Sequence, residues 1–219
     1  MKIISVVGAR PNFMKVAPIF RAINERRNNK IEQSICHTGQ HYDKKMSDIF
    51  FTQLKMPIPK YYLGIGGGSH AEQTGKIMIG FEKVLLEEKP DLVIVVGDVN
   101  STIACSLTAK KLHIKVAHVE AGLRSFDRNM PEELNRILTD SISDYLFVTE
   151  DSGLVNLRNE GIIEEKIFFT GNCMIDSLID ILPITDNSNI LFELNLKIGK
   201  FENRIVDGFQ VTKPGNLLT

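Results

Sequence analysis

Apolar and polar positions along this chain alternate between two periods. Short apolar runs rich in β-branched residues stand at Ile3 to Val7, Ile31 to Cys36, Leu92 to Val96, Val116 to Val119, Tyr145 to Val148 and Ile167 to Phe169. Each has the length of a buried parallel strand. Between most of them the spacing turns helical, over Phe13 to Asn24, Asp43 to Phe51, Ala71 to Glu87, Thr102 to Leu112, Glu132 to Ser143 and Ser152 to Glu160. Strand and helix in alternation predict an α/β fold, a doubly wound parallel sheet with helices on its faces. Pro18 falls inside the first helical pattern and lacks an amide hydrogen, which predicts a late start or a kink there. Gly66-Gly67-Gly68-Ser69 predicts a loop before the third helix. After about Leu182 the alternation fails, so the expected organisation is one domain over residues 1–182, then an irregular tail or the start of a second domain over 183–219.

Composition narrows the function. At 219 residues, 43% apolar and 24% charged, the chain can bury one substantial core. Lys+Arg at 26 against Asp+Glu at 27 leaves a net charge of −1, so no overall field draws in nucleic acid or an acidic membrane surface. Any phosphate binding must be local. No apolar run approaches the roughly 18 residues of a membrane span, and Ile3 to Val7 is no signal-peptide core, which predicts a cytoplasmic protein. Cys36, Cys105 and Cys173 are odd in number, far apart and without a CxxC spacing, and they read as reduced, buried thiols. His37, His70 and His113 fit no metal-ligand spacing and read as structural, so no metal site is expected.

The charge that is present is concentrated. His118 to Arg136 holds three glutamates and three arginines directly after a strand, and in open α/β sheets ligands sit beyond the carboxyl ends of the strands. Four strand ends carry candidates. The first runs Gly8-Ala9-Arg10-Pro11-Asn12-Phe13-Met14-Lys15; Gly8 permits close backbone approach, the helix start offers amides, and Arg10 and Lys15 are either solvated surface charges or partners for a pyrophosphate. The second leads to Thr38-Gly39-Gln40-His41, a polar turn or a substrate contact. The third ends in Gly97-Asp98-Val99-Asn100-Ser101-Thr102, where Asp98 either caps the next helix or, with Ser101 available as the cap, stays free for chemistry. The fourth ends at Glu120, whose bland reading is an ion pair with Arg124 or Arg128. Asn129, Pro131, Glu132 and Glu133 make a good helix start, which accounts for Glu133. Neither a G-x-G-x-x-G nor a Walker A pattern occurs, so NAD and P-loop chemistry are not expected.

These strand ends resemble the non-hydrolysing UDP-N-acetylglucosamine 2-epimerases. The matching motifs are Gly8 to Lys15, Thr38 to His41, Gly97 to Thr102, His118-Val119-Glu120-Ala121-Gly122-Leu123-Arg124, Pro131-Glu132-Glu133-Leu134-Asn135-Arg136 and the junction Gly171 to Asp176. The resemblance implies a Rossmann-like domain equivalent to the N-terminal half of a two-domain, glycosyltransferase-B-type fold, with the second half not matched here. It implies Asp98, Glu120 and Glu132 as catalytic carboxylates, and Arg10, Lys15, Gln40, His41 and Arg136 as substrate contacts, with Arg136 orienting Glu132 from four residues on. It further implies a UDP-sugar substrate, no cofactor and a homodimer. The alternatives that remain open are a hydrolysing 2-epimerase, a glycosyltransferase of similar architecture and a catalytically silent half-protein.

Overall fold

All six apolar runs become parallel strands. The computed structural model describes residues 1–26, 30–39, 51, 54–185, 190–194, 202–206 and 209–213. Its main sheet has seven strands, β1 (Lys2–Val7), β2 (Glu32–His37), β3 (Tyr61–Tyr62), β4 (Leu92–Val96), β5 (Lys115–Ala121), β6 (Tyr145–Val148) and β7 (Ile167–Phe169). They run in the order β3-β2-β1-β4-β5-β6-β7. The chain winds outward from β1 to β3, then returns to lay β4 against β1, pairing Ile3 with Leu92 and Ser5 with Ile94. That reversal opens a crevice at the carboxyl ends of β1 and β4, the place where doubly wound sheets bind ligands. The two-residue β3 was not expected: it is too short to show a period, and it forms by pairing Cys36 and His37 along the edge of β2.

Helices α1 (Arg10–Glu25), α2 (His70–Glu88), α3 (Asn100–Lys111), α4 (Pro131–Ile142), α5 (Asp151–Asn159) and α6 (Cys173–Thr185) occupy the predicted spans and the stretch after β7. The expected helix Asp43 to Phe51 lies outside the described residues except at Phe51. Alternation along the strands sends Ile4, Val6, Val93, Val95 and Val116 to one face, where Ile77, Phe81, Val84 and Leu85 of α2 and Ala104, Cys105 and Ala109 of α3 complete a core. Cys36 and Cys105 are buried and Cys173 only half-buried, and burial pushes the Cys36 thiol up to about 12.

Helix α1 corrects the expectation for Pro18. It starts early, at Arg10, because Pro11 in the first turn costs no hydrogen bond, and it continues through Pro18. The carbonyl that Pro18 cannot bond, that of Met14, instead accepts a hydrogen bond from Ser177 Oγ at 2.5 Å.

The chain divides into two compact units, Met1–Leu178 and Ile179–Thr219. Within the second, where the sequence shows only weakly apolar pieces, the described elements are the end of α6, a short helix α7 (Ile190–Glu193) and a hairpin of β8 (Glu202–Val206) and β9 (Phe209–Lys213). Among the described residues no helix is long and apolar enough to cross a membrane. None of their His, Cys, Asp and Glu side chains gather into a group that could hold a metal.

Candidate active site

The crevice is floored by the turn after β1. Asn12 Oδ1 accepts the amides of Gly8 at 3.0 Å and Ala9 at 2.8 Å, and its amide group donates to the Val96 carbonyl at 3.2 Å. Two of the amides that the sequence offers to a phosphate are therefore engaged. Gly8 has a second reason to lack a side chain: a Cβ there would lie 2.4 Å from Ser101 Oγ and 2.8 Å from Thr38 Oγ1. Those two hydroxyls bond one another at 2.8 Å and tie the ends of β1, β2 and α3 together.

Lys15, one turn into α1, is buried and directs its ammonium at the Glu120 carboxylate. Gly97 makes room for the pair, since a Cβ there would stand 3.1 Å from Lys15 Nζ. Glu120 thus pairs with Lys15, not with Arg124 or Arg128 as its bland reading had it. Arg124 turns away, binding Asp140 at 2.8 Å and Glu160 at 2.6 Å.

Asp98 does not cap α3, whose cap residue is Val99. Its carboxylate meets Arg136 at 2.6 Å and its carbonyl accepts Asn135 Nδ2 at 2.8 Å. Lys15, Gly97, Asp98, Glu120, Leu123 and Arg136 line a cavity of about 230 Å³. Two cations and two carboxylates thus alternate around one small polar space. Arg10 is exposed at the start of α1 and does not line that cavity. Gln40 and His41 lie outside the described residues.

The two glutamates at the start of α4 part company. Glu132 is half-buried, does not line the cavity and, among the described residues, pairs its carboxylate with no cation. Arg136 does not orient it as the spacing predicts: the guanidinium goes to Asp98, to Glu133 at 3.5 Å and to the backbone carbonyl of Glu132 at 3.4 Å. Glu133 is buried and accepts the amides of Ser125 and Phe126, each at 2.9 Å. Burial alone would raise its carboxyl, but those amides and Arg136 outweigh it, and the pKa falls below the usual carboxylate value. Glu133 therefore fastens the loop after β5 at Ser125 and Phe126.

Sequence reasoning missed the polar groups beneath the cavity. His118 and Asp140 are wholly buried and bonded at 2.6 Å, and Asn135 bridges Asp98 to Asn100. The available signal was helical spacing: Glu133, Arg136 and Asp140 repeat at three and four residues, so one face of α4 turns charge inward.

Strand order, crevice and charged lining place this chain among the doubly wound α/β domains that keep their site at the topological switch point. The family model for UDP-N-acetylglucosamine 2-epimerase matches residues 23–203, and the chain belongs to that family. A UDP-N-acetylglucosamine 2-epimerase homolog of Methanococcus maripaludis is 54% identical over 92% of this chain and 56% of its own length. The UDP-2,3-diacetamido-2,3-dideoxy-D-glucuronate 2-epimerase of Pseudomonas aeruginosa is 49% identical over 82% of this chain and 51% of its own. The crystal structure of the Methanocaldococcus jannaschii UDP-GlcNAc 2-epimerase with UDP-GlcNAc and UDP superposes with a TM-score of 0.83 at 51% identity, covering 89% of this chain and 53% of that one. The chain spans about half the length of the curated relatives it matches.

Proposed function

We propose that this chain carries the carboxylate-bearing wall of a non-hydrolysing UDP-N-acetylglucosamine 2-epimerase, interconverting UDP-N-acetylglucosamine and UDP-N-acetylmannosamine. The observation that carries the reading is the pair of cation–carboxylate contacts, Lys15 with Glu120 and Arg136 with Asp98, meeting in one cavity at the switch-point crevice. The C2 hydrogen of the sugar is not beside a carbonyl, so simple deprotonation leaves an unstabilised carbanion. Elimination avoids it: a base takes the C2 proton while the C1–O bond to UDP breaks, giving a glycal and free UDP. A proton then returns to the other face of C2 and UDP adds back at C1. Two faces ask for two proton-handling groups, and a third carboxylate offsets positive charge developing at C1. Asp98, Glu120 and Glu132 are that trio, while Arg10, Lys15 and Arg136 supply positive charge for the departing diphosphate and Gln40 and His41 contact substrate. The elimination calls for no redox cofactor. A homodimer and a cytoplasmic setting belong to the same reading.

Turnover in deuterated water tests it, since product formed by this route carries deuterium at C2 and product without it contradicts the elimination. Release of free UDP with N-acetylmannosamine would favour the hydrolysing alternative. Where a second domain completes the site, Asp98→Asn, Glu120→Gln and Glu132→Gln should each slow epimerisation by at least about a hundredfold, the usual low end for losing a general acid or base. Near-normal turnover in a folded variant removes that residue from the trio.

A further inference from the structure

Glu120 is not where a regular strand would place it. Along β5 the pairing with β6 slips between Val119 and Ala121, which leaves Glu120 as the extra residue of a bulge with φ of 73°. A non-glycine residue holds that conformation only where its surroundings over-determine it. Here the surroundings are Asp140 of α4. One of its oxygens binds His118 Nδ1 at 2.6 Å and the other accepts the Gly122 amide at 3.0 Å. Those contacts fall two residues before and two residues after Glu120. The second ring nitrogen of His118 lies 2.8 Å from the Gly97 carbonyl, directly before Asp98. A carbonyl only accepts, so that nitrogen donates. Burial alone would raise the Asp140 carboxyl, but His118 and Arg124 outweigh it and hold it below the usual carboxylate value. Arg124 and Glu160 complete the cluster, and none of its four side chains lines the cavity; His118 meets the lining only at the Gly97 backbone and Arg124 only at the Leu123 backbone.

We propose that Asp140 and His118 are positioning residues, a buried clamp that sets the spacing and direction of Asp98 and Glu120 by holding Gly97 and Gly122 on either side of them. The inference rests on the reading of the cavity as the site of 2-epimerisation, and because the clamp sets geometry without meeting substrate, its loss should lower kcat while sparing KM. A displacement of about 1 Å is enough for a fall of roughly a hundredfold.

The test uses the full gene product. Asp140→Ala removes both bonds around Glu120. Asp140→Asn keeps an oxygen for Gly122 and can donate to the Nδ1 of a neutral imidazole that still donates to Gly97. We expect kcat to fall about a hundredfold in the alanine variant with KM within about threefold of the parent, and the asparagine variant to recover most of the loss. Hydrogen exchange at the Gly122 amide should quicken at least about tenfold in Asp140→Ala and little in Asp140→Asn. Equal damage in the two variants, kcat and KM worsening together, or unchanged exchange at Gly122 would overturn the proposal. If Asp140→Ala does not fold, His118→Phe decides, because it releases Gly97 while leaving Asp140 bonded to Gly122; an unchanged kcat there also overturns it. A parent protein that forms no UDP-N-acetylmannosamine refutes the functional reading instead, and the Gly122 exchange rates still decide the clamp.

Discussion

The backbone at Glu120 can be tested without any assay of turnover. At φ of 73° a side chain crowds the following carbonyl, a penalty of about 1–2 kcal/mol for an L-residue. Glycine escapes that penalty but loses more freedom on folding, which costs it about 0.4–1 kcal/mol against alanine. Glu120→Gly and Glu120→Ala both delete the carboxylate and both leave Lys15 without it, so those losses cancel between the two variants. What remains is the backbone. The glycine variant should be the more stable by about 0.5–1 kcal/mol, the reverse of the usual order. Glu82, exposed within α2, is the control: there alanine should exceed glycine by about 1 kcal/mol. Urea unfolding midpoints with matched slopes give both differences. An alanine variant at 120 as stable as the glycine variant would show that the bulge does not hold this residue in the left-handed region, and the case for a clamp would lose its motive.

Three further outcomes follow from other sites. Burial lowers the His37 pKa to about 4 from 6.5, and among the described residues neither ring nitrogen has a hydrogen-bond partner; the unfolded chain therefore takes the proton first, and stability should fall by about 3 kcal/mol as pH drops from 6.5 to 4. His37→Leu should lose that slope in urea unfolding across the same window, and an unaltered slope would contradict the assignment. Lys2 at 2.5 Å, Lys60 at 2.6 Å and the Tyr61 hydroxyl hold the Glu88 carboxyl down to about 2. That stabilisation is present above about 4.5 and is lost as pH falls through about 2. With both lysines partly exposed, Glu88→Gln should cost about 1–2 kcal/mol at pH 7, and a neutral effect would refute it. The 219 residues on their own should turn over no substrate and should bind UDP with a dissociation constant nearer millimolar than micromolar, a gap of about 4 kcal/mol, because they furnish one wall of a cleft. Titration calorimetry that returned a micromolar value would overturn that estimate.

The strands were legible because burial on both faces leaves continuous apolar runs, as in Leu92–Val96, and the helices because their inner faces repeat at three and four residues. Helix ends moved by a few residues wherever a cap was misjudged. Asp98 and Ser101 both look like caps for α3, yet one binds Arg136 and the other meets Thr38 from a different strand end. In the cavity, residue type and place were readable, since a carboxylate at a strand end needs an explanation that packing does not supply. Partnership was not. Lys15 and Glu120 are far apart in sequence and meet only because the sheet order leaves just β4 between β1 and β5. The pairing of Arg124 and His118 with Asp140 was hidden for the same reason, and local spacing pointed to nearer partners that the fold then separated.

Pro18 and Ser177 have a consequence for how this chain can vary. The hydroxyl of Ser177 is bonded to the one α1 carbonyl that a proline at position 18 leaves open. An alanine at 18 would close the helix ladder at Met14 and make the serine redundant, and an alanine at 177 would leave a part-buried carbonyl facing nothing. Either change alone leaves one group without its match, whereas both together restore the balance. Residues at opposite ends of the domain are thus a single choice, and a substitution tolerated at one depends on what stands at the other.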